Sequence, residues 1–250
     1  MALFDRFNLG AGFRKYFQIE AAADERVRDE VYRVRHEVYC EELKFEPERP
    51  DRRETDRFDR HSLHCLMRTA SEPAAPVGCT RLILADPDAP DAPLPFEAAC
   101  EHTLDRRIID PARMDRRRIA EVSRLAVRAA YRRRRGEQHV AVAIQDEDFN
   151  KAGDQPRFPY IPIGLYLGAV ALAARNDIDT LFVLTEPRLA SHFAKLGVKI
   201  RQIGGPIEHR GTRVPSMMDV QSIITGIRFM VKPVWRTVQE QIENSYRQPG

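Results

Sequence analysis

Cysteine is scarce in this sequence, and the four that occur, Cys40, Cys65, Cys79 and Cys100, form no C-x-x-C pair and no metal-ligand spacing. A disulfide framework and a structural zinc site are therefore not expected, and the thiols read as reduced. Long apolar runs are missing as well: none reaches the roughly 18–20 residues that span a bilayer. The opening stretch MALFDRFNLGAGFRKYF has no unbroken apolar core, so no secretory leader is expected. Both absences point to a soluble, cytoplasmic protein. There is no internal repeat and no low-complexity linker. G-x-S-x-G, H-E-x-x-H and a P-loop are also absent, which leaves serine-hydrolase, zincin and P-loop chemistry without their residues. His61 and His64 beside Cys65 are the nearest approach to a metal or Cys/His pair. A turn-and-strand location with no further ligands argues against both.

What is present is a globular composition: 250 residues, 43% apolar and 31% charged, enough for one large domain with a full core. Net charge is only +3, yet it is unevenly placed. Between Arg106 and Arg135 stand twelve arginines against Asp110, Asp115 and Glu121, a local net of +9. Such a block suits an acidic partner, or else is a solvated face of an arginine-rich chain.

Periodicity then orders the chain. Residues 13–22 read as a first strand. Residues 24–43 read as a helix, with Asp24 as N-cap and Val27, Val31, Val34 and Val38 at helical spacing. The charged, proline-bearing stretch 45–62 reads as an exposed loop. Residues 64–70 and 77–85 read as adjacent strands, and 86–95 as a second proline-rich loop before a short helix at 96–104. Residues 118–128 read as a strand, 139–145 as strand or helix, and 161–176, apolar all round, as a buried helix. A buried strand at 179–186, a helix at 187–197 opened by Pro and closed by Gly, and two closing strands complete the pattern. The expected class is α/β: three layers, a mixed central sheet with helices on both faces, and a C-terminal helical extension. The domain is drawn over 1–220 and the extension over 221–250, with two helical pieces broken at Pro233. In the extension Val234, Val238, Ile242 and Tyr246 form a stripe beside Trp235. It suits packing onto the domain; a peripheral contact with the inner membrane surface is the alternative.

The residues able to carry chemistry come in a fixed order. Arg35 and Tyr39 share the first long helix, and Phe45 follows. Glu54, Asp56, Phe58 and Asp59 form an E-x-D-x-F-D run in the loop. Arg81 lies in GCTRLI, Phe96 follows the second loop, and Glu121, Ser123 and Arg124 form an E-x-S-R run. This succession resembles the acyl-homoserine-lactone autoinducer synthases and N-acyl amino acid synthases of the GNAT fold. It does so by motif over residues 15–130 and by element order beyond. The layout is most similar to the acyltransferases associated with the PEP-CTERM/exosortase system.

That resemblance implies transfer of a fatty acyl chain from a thioester to the amine of an amino acid-like acceptor. Glu121, Asp56, Asp59 and Arg81 would be the catalytic set. Arg35, Tyr39, Phe45, Glu54, Phe96, Ser123 and Arg124 would bind substrate. A carboxylate such as Glu121 can take the amine proton, directly or through one water. Strands diverging at 121–127 and 180–186 would leave backbone N–H groups for the pantetheine arm and the oxyanion. The purely structural alternative is an ion-pair network that pins loop 45–62 to the sheet.

No cofactor is expected to be tightly bound; the donor would be an acyl-phosphopantetheine thioester on an acidic acyl carrier protein. Three departures shape that view. The turn beginning at Arg133 has Gln138 where a CoA-binding turn has a small residue, which argues against CoA. Phe193, with His192 beside it, stands where CoA-using relatives have Tyr. Tyr39 and Phe45 differ from the family's aromatics. Arg132, Arg133, Arg134 and Arg135 would dock the carrier. Two further readings stay open. One is a homoserine-lactone synthase with S-adenosylmethionine as acceptor. The other is a non-enzymatic binder of nucleic acid or anionic membrane; nucleic acid is not expected, because the acidic run at 54–59 would repel it.

Overall fold

The structure, a computed structural model, describes residues 9–132, 159–187 and 193–247. Its centre is one mixed, mostly antiparallel sheet of eight strands. In chain order these are β1 (Phe17–Ala21), β2 (Ser62–Thr69), β3 (Pro76–Ile83), β4 (Ile119–Val127), β5 (Thr180–Thr185), β6 (Arg201–Gln202), β7 (Ile207–Glu208) and β8 (Thr212–Asp219). They lie in the order β1-β2-β3-β4-β5-β8-β6, with β7 also pairing β8. Every pair is antiparallel except β4 with β5.

Side-chain alternation divides the sheet into two faces. One face takes Cys65, Met67, Leu82, Ala120, Val122, Leu181 and Met218 into the main core. It is covered by α1 (Leu9–Tyr16), α4 (Tyr160–Arg175), α5 (Val220–Gly226) and α6 (Lys232–Ser245). Helix α4 is buried almost all round, as its uniform apolarity predicts. The opposite face carries two apolar clusters. Leu66, Cys79 and Ala126 pack under α2 (Glu25–Arg35), and Ile83, Ile119 and Phe182 pack with Phe96 of α3 (Pro95–Ala99). The polar positions His64, Arg81, Glu121 and Ser123 lie on this second face, along and between the two clusters.

The expected elements are found with several corrections. Residues 13–16 end a helix, and the first strand begins only at Phe17. Helix α2 has the expected cap, the Asp24 carboxylate accepting from the Val27 N–H at 2.9 Å. It then widens into a π-helical stretch, His36–Glu42. The short helix is Pro95–Ala99, not 96–104. Pro233 sits in the first turn of α6 instead of between two helices, where a missing N–H costs nothing. The segment 139–145 and residues 188–192 of the 187–197 helix lie outside the described residues.

The described part of the extension, 221–247, packs into the same core. Ile223, Ile227, Val234, Trp235, Val238 and Ile242 all belong to the main cluster. The α6 stripe is thus covered by the domain and is not a membrane-facing surface. Helix α6 also lies along β1, the edge strand. Gln241 Oε1 accepts from Ile19 N–H at 3.0 Å and Ser245 Oγ from Ala21 N–H at 3.1 Å. Among the described residues no helix is long and apolar enough to cross a membrane.

Candidate active site

The E-x-D-x-F-D loop folds back over the second face of the sheet, and three arginines hold it there. Arg35, fully buried, donates from Nε to Glu54 Oε2 at 2.5 Å. Its two Nη atoms reach the Asp59 carboxylate at 2.6 and 3.1 Å. From β3, Arg81 donates to Asp56 at 2.7 Å, Asp59 at 2.8 Å and Ser123 Oγ at 3.0 Å. From β4, Arg124 reaches Glu54 at 3.0 Å and Asp56 at 3.2 Å. Two-pronged guanidinium–carboxylate contacts of this kind are the strongest a buried loop can use.

Electrostatics follow the geometry. Burial opposes ionisation of Glu54, but Arg35 and Arg124 outweigh it and hold the carboxyl at about 2. The same contest, decided by Arg35 and Arg81, keeps Asp59 well below the usual carboxylate range. His64, buried beneath the cluster with Asp59 Oδ1 at 3.6 Å, is pushed down to about 3 by burial and then by Arg35, so it is neutral.

A β-bulge explains how Arg124 reaches this cluster. The β3–β4 register shifts between the pairs Cys79–Ala126 and Arg81–Ser123, so β4 carries one extra residue there. Arg124 takes a left-handed backbone conformation, φ 49°. The Tyr39 hydroxyl donates to the Leu125 carbonyl at 3.1 Å, and the Arg124 guanidinium lies 5.5 Å from the Tyr39 ring centre. Phe45 stacks on Tyr39 at 6.5 Å between centroids. Tyr39 and Phe45 thus stand beside the bulge, with Glu46 and Arg210 completing a partly exposed rim.

Glu121 belongs to a different environment. It shares its strand and face with Ser123, yet no arginine pairs with it among the described residues. Among the described residues its one side-chain hydrogen bond is from the Phe96 backbone N–H, which donates to Oε2 at 2.8 Å. The Phe96 ring is fully buried and stacked on Phe182, centroids 4.5 Å apart. Burial among these rings pushes the Glu121 carboxyl up to about 7, against the pull of the Phe96 N–H and of Arg81. In this conformation Phe96 contributes its backbone N–H, and its ring is not offered to a ligand. Sequence reading had no signal for the pair behind it. Arg116 donates to Glu97 Oε2 at 2.8 Å, both side chains buried, and Glu97 accepts the Leu94 N–H at 2.7 Å.

Beside Glu121 the sheet opens. Parallel pairing of β4 with β5 covers Ile119–Val122 against Thr180–Val183 and goes no further, while β5 remains paired to β8 through Thr185. Ser123–Val127 therefore have no β5 partner. This is the divergence expected of the fold, with the charged cluster on one face of it.

The arginine block requires a correction. Most of its described members are taken up within the molecule. Arg116 pairs with Glu97, Arg118 with Asp179 and Arg128 with Glu37. Arg132 is buried against Glu42 and is not an exposed docking cation. The acids come from elements distant in sequence, which a local charge count cannot include. Arg133, Arg134, Arg135, Gln138 and His192 lie outside the described residues. His64 and Cys65 point to opposite faces of β2, which excludes a joint site for them.

Residues 34–142 match the sequence model of the acetyltransferase (GNAT) domain family. That stretch is similar to a GNAT acetyltransferase domain. The chain's fold is that of several solved synthases, all at low identity. The CoA-dependent acyl-homoserine lactone synthase BjaI, with MTA, aligns at TM-score 0.57 and 18% identity over 88% of this chain and 98% of that one. TofI, in a ternary complex with an inhibitor and MTA, aligns at 0.56 and 18% over 81% and 91%. FeeM, an N-acyl amino acid synthase from uncultured soil microbes, aligns at 0.52 and 11% over 86% and 96%. No curated protein matches the sequence significantly.

Proposed function

We propose that this GNAT-like domain transfers a fatty acyl chain from a phosphopantetheine thioester to the amine of an amino acid-like acceptor, with Glu121 as general base. The observation that carries the reading is the buried Glu121, without an arginine ion pair among the described residues and pushed up to about 7 beside the divergence of β4 and β5. A base with that affinity accepts a proton from an acceptor ammonium near neutral pH and remains partly ionised while waiting. The amine nitrogen then attacks the thioester carbon. The C–S bond breaks as the C–N bond forms, the nitrogen's surplus proton passes to the departing sulfur, and the pantetheine arm leaves as its thiol. The unpaired β4 edge at Ser123–Val127 offers the arm a strand-like partner and the developing oxyanion its donors. The rim of Asp56, Glu46, Arg124 and Arg210 presents both signs of charge, as a zwitterionic acceptor requires.

The donor is read as an acyl carrier protein. Support is the sequence of the turn at 133–138, where Gln138 replaces the small residue of a CoA-binding turn. The fold does not choose, since BjaI is CoA-dependent. A second reading, homoserine-lactone synthesis from S-adenosylmethionine, is favoured by the likeness to BjaI and TofI.

One set of reactions tests all of this. Purified protein is given matched acyl chains on carrier protein or CoA, with amino acids or S-adenosylmethionine, and products are read by mass spectrometry. An N-acyl amino acid, formed faster from the carrier protein, is the expected result. A lactone product selects the second reading, and a higher kcat/KM with acyl-CoA refutes the donor assignment. Absence of any acylated amine refutes the function.

A further inference from the structure

The strongest surface feature outside the site is the turn between α5 and α6. Phe229 and Met230 are 86% and 65% exposed there, in a protein whose other large apolar side chains, Tyr16 apart, are at least partly covered among the described residues. Exposed Arg228 precedes them and exposed Lys232 follows, with Arg236 one helical turn along the same side of α6. A second segment joins this turn through its backbone. The Arg228 N–H donates to the Leu196 carbonyl at 3.0 Å, and a side chain at Gly197 would sit 2.2 Å from the Gly226 carbonyl oxygen. That segment adds exposed Lys199.

The charge here is of one sign. Neither 187–207 nor 220–239 contains an aspartate or glutamate. Elsewhere the molecule matches arginine to carboxylate repeatedly, yet none of Lys199, Arg228, Lys232 and Arg236 forms an ion pair among the described residues. Unmatched cations around two protruding apolar side chains fit a surface that is anionic outside and apolar beneath.

We propose that the Arg228–Lys232 turn seats the protein on an anionic lipid bilayer. Phe229 and Met230 enter the headgroup–acyl boundary, and Lys199, Arg228, Lys232 and Arg236 meet the lipid charges. The contact is the turn itself, since the α6 stripe is spent in the core. Helix α5 leaves the sheet where Asp219 pairs Thr180, at the start of β5 and away from the end where β4 and β5 diverge. The inference does not depend on the catalytic reading.

Vesicle flotation tests it, using the whole chain with phosphatidylglycerol-rich vesicles against pure phosphatidylcholine. The wild type should float with the anionic vesicles only, and 0.5 M salt should release it. Joint replacement F229S/M230S should weaken binding by about tenfold or more, and each of R228A and K232A by roughly fivefold, about one lipid-facing cation's worth. All variants should keep the wild-type circular dichroism and melting temperature, because these side chains touch no core. Failure of the wild type to float, equal binding by the F229S/M230S variant, or equal binding to neutral vesicles would each overturn the proposal. So would binding of purified acyl carrier protein, in place of vesicles, that F229S/M230S abolishes.

Discussion

Glu54 and Glu121 are the same residue type, both buried on the same face of the same sheet, and their acidities are displaced in opposite directions. Glu54 is gripped by Arg35 and Arg124 and held at about 2; Glu121 sees a backbone N–H and two phenyl rings and rises to about 7. Pairing makes the first a permanent anion that fastens a loop. Lack of pairing makes the second a group that can gain and lose a proton. Charged residues in a motif are thus of two kinds, and the count of arginines within reach separates them.

The largest expected effect lies on the fastened side. Arg35→Ala leaves Glu54 and Asp59 buried without their main partner and should cost about 3–5 kcal/mol of stability, read by urea unfolding. A loss under ~1 kcal/mol would mean the network does not hold loop 45–62. On the other side, Glu121→Gln should lower kcat by about 10²-fold or more, the size of a lost general base, with the fold intact. Near-normal turnover in that variant would remove Glu121 from the chemistry.

The two glutamates should also give stability slopes of opposite sign. Folded Glu121 keeps its proton up to about 7, against 4.5 for an ordinary glutamate. The native state therefore binds the extra proton between those values, and stability falls as pH rises through them, by up to about 3 kcal/mol. Glu121→Gln should abolish that fall. Glu54 does the reverse: its contribution is fully present above 4.5 and is lost as pH falls towards 2. Unfolding curves from pH 3 to 8 on wild type, Glu54→Gln and Glu121→Gln separate the two. In turnover, wild-type kcat/KM should rise with pH through about 7 as Glu121 ionises.

The smallest effect is expected at Asp56, whose side chain is 25% exposed and shares two arginines with deeper acids. Asp56→Asn should raise the acceptor KM about tenfold while kcat changes less, the mark of lost uniform binding. A kcat loss as large as that of Glu121→Gln would place Asp56 with the reacting atoms.

Much of this was readable in the sequence because it was local. The Asp24 cap, the two central strands and the apolar helix α4 are each written in a few consecutive residues. So were the E-x-D-x-F-D and E-x-S-R runs, which the fold does bring together. What escaped was partnership across distance. No spacing tells that Arg35 takes both Glu54 and Asp59, or that Arg118 finds Asp179. Hence most of the described arginines of the basic block are matched to carboxylates in place. The bulge at Arg124 escaped for a related reason, since it exists only as a mismatch between two strands. The first strand starts later than its sequence suggests, because the aromatics of Phe13–Tyr16 suit a helix face as well as a strand.

The capped edge of β1 has a bearing on how the chain is made. The Ile19 and Gln241 that close it stand 222 residues apart. During synthesis the strand leaves the ribosome early, and the helix whose side chains occupy its outward N–H groups comes very late. For that interval an apolar edge is open to any other strand in the cell, including that of a neighbouring nascent chain. Yield in expression should then depend on whatever shelters that edge until α6 arrives. A chain stopped before Lys232 should collect in inclusion bodies even though every residue of its chemistry has already been made.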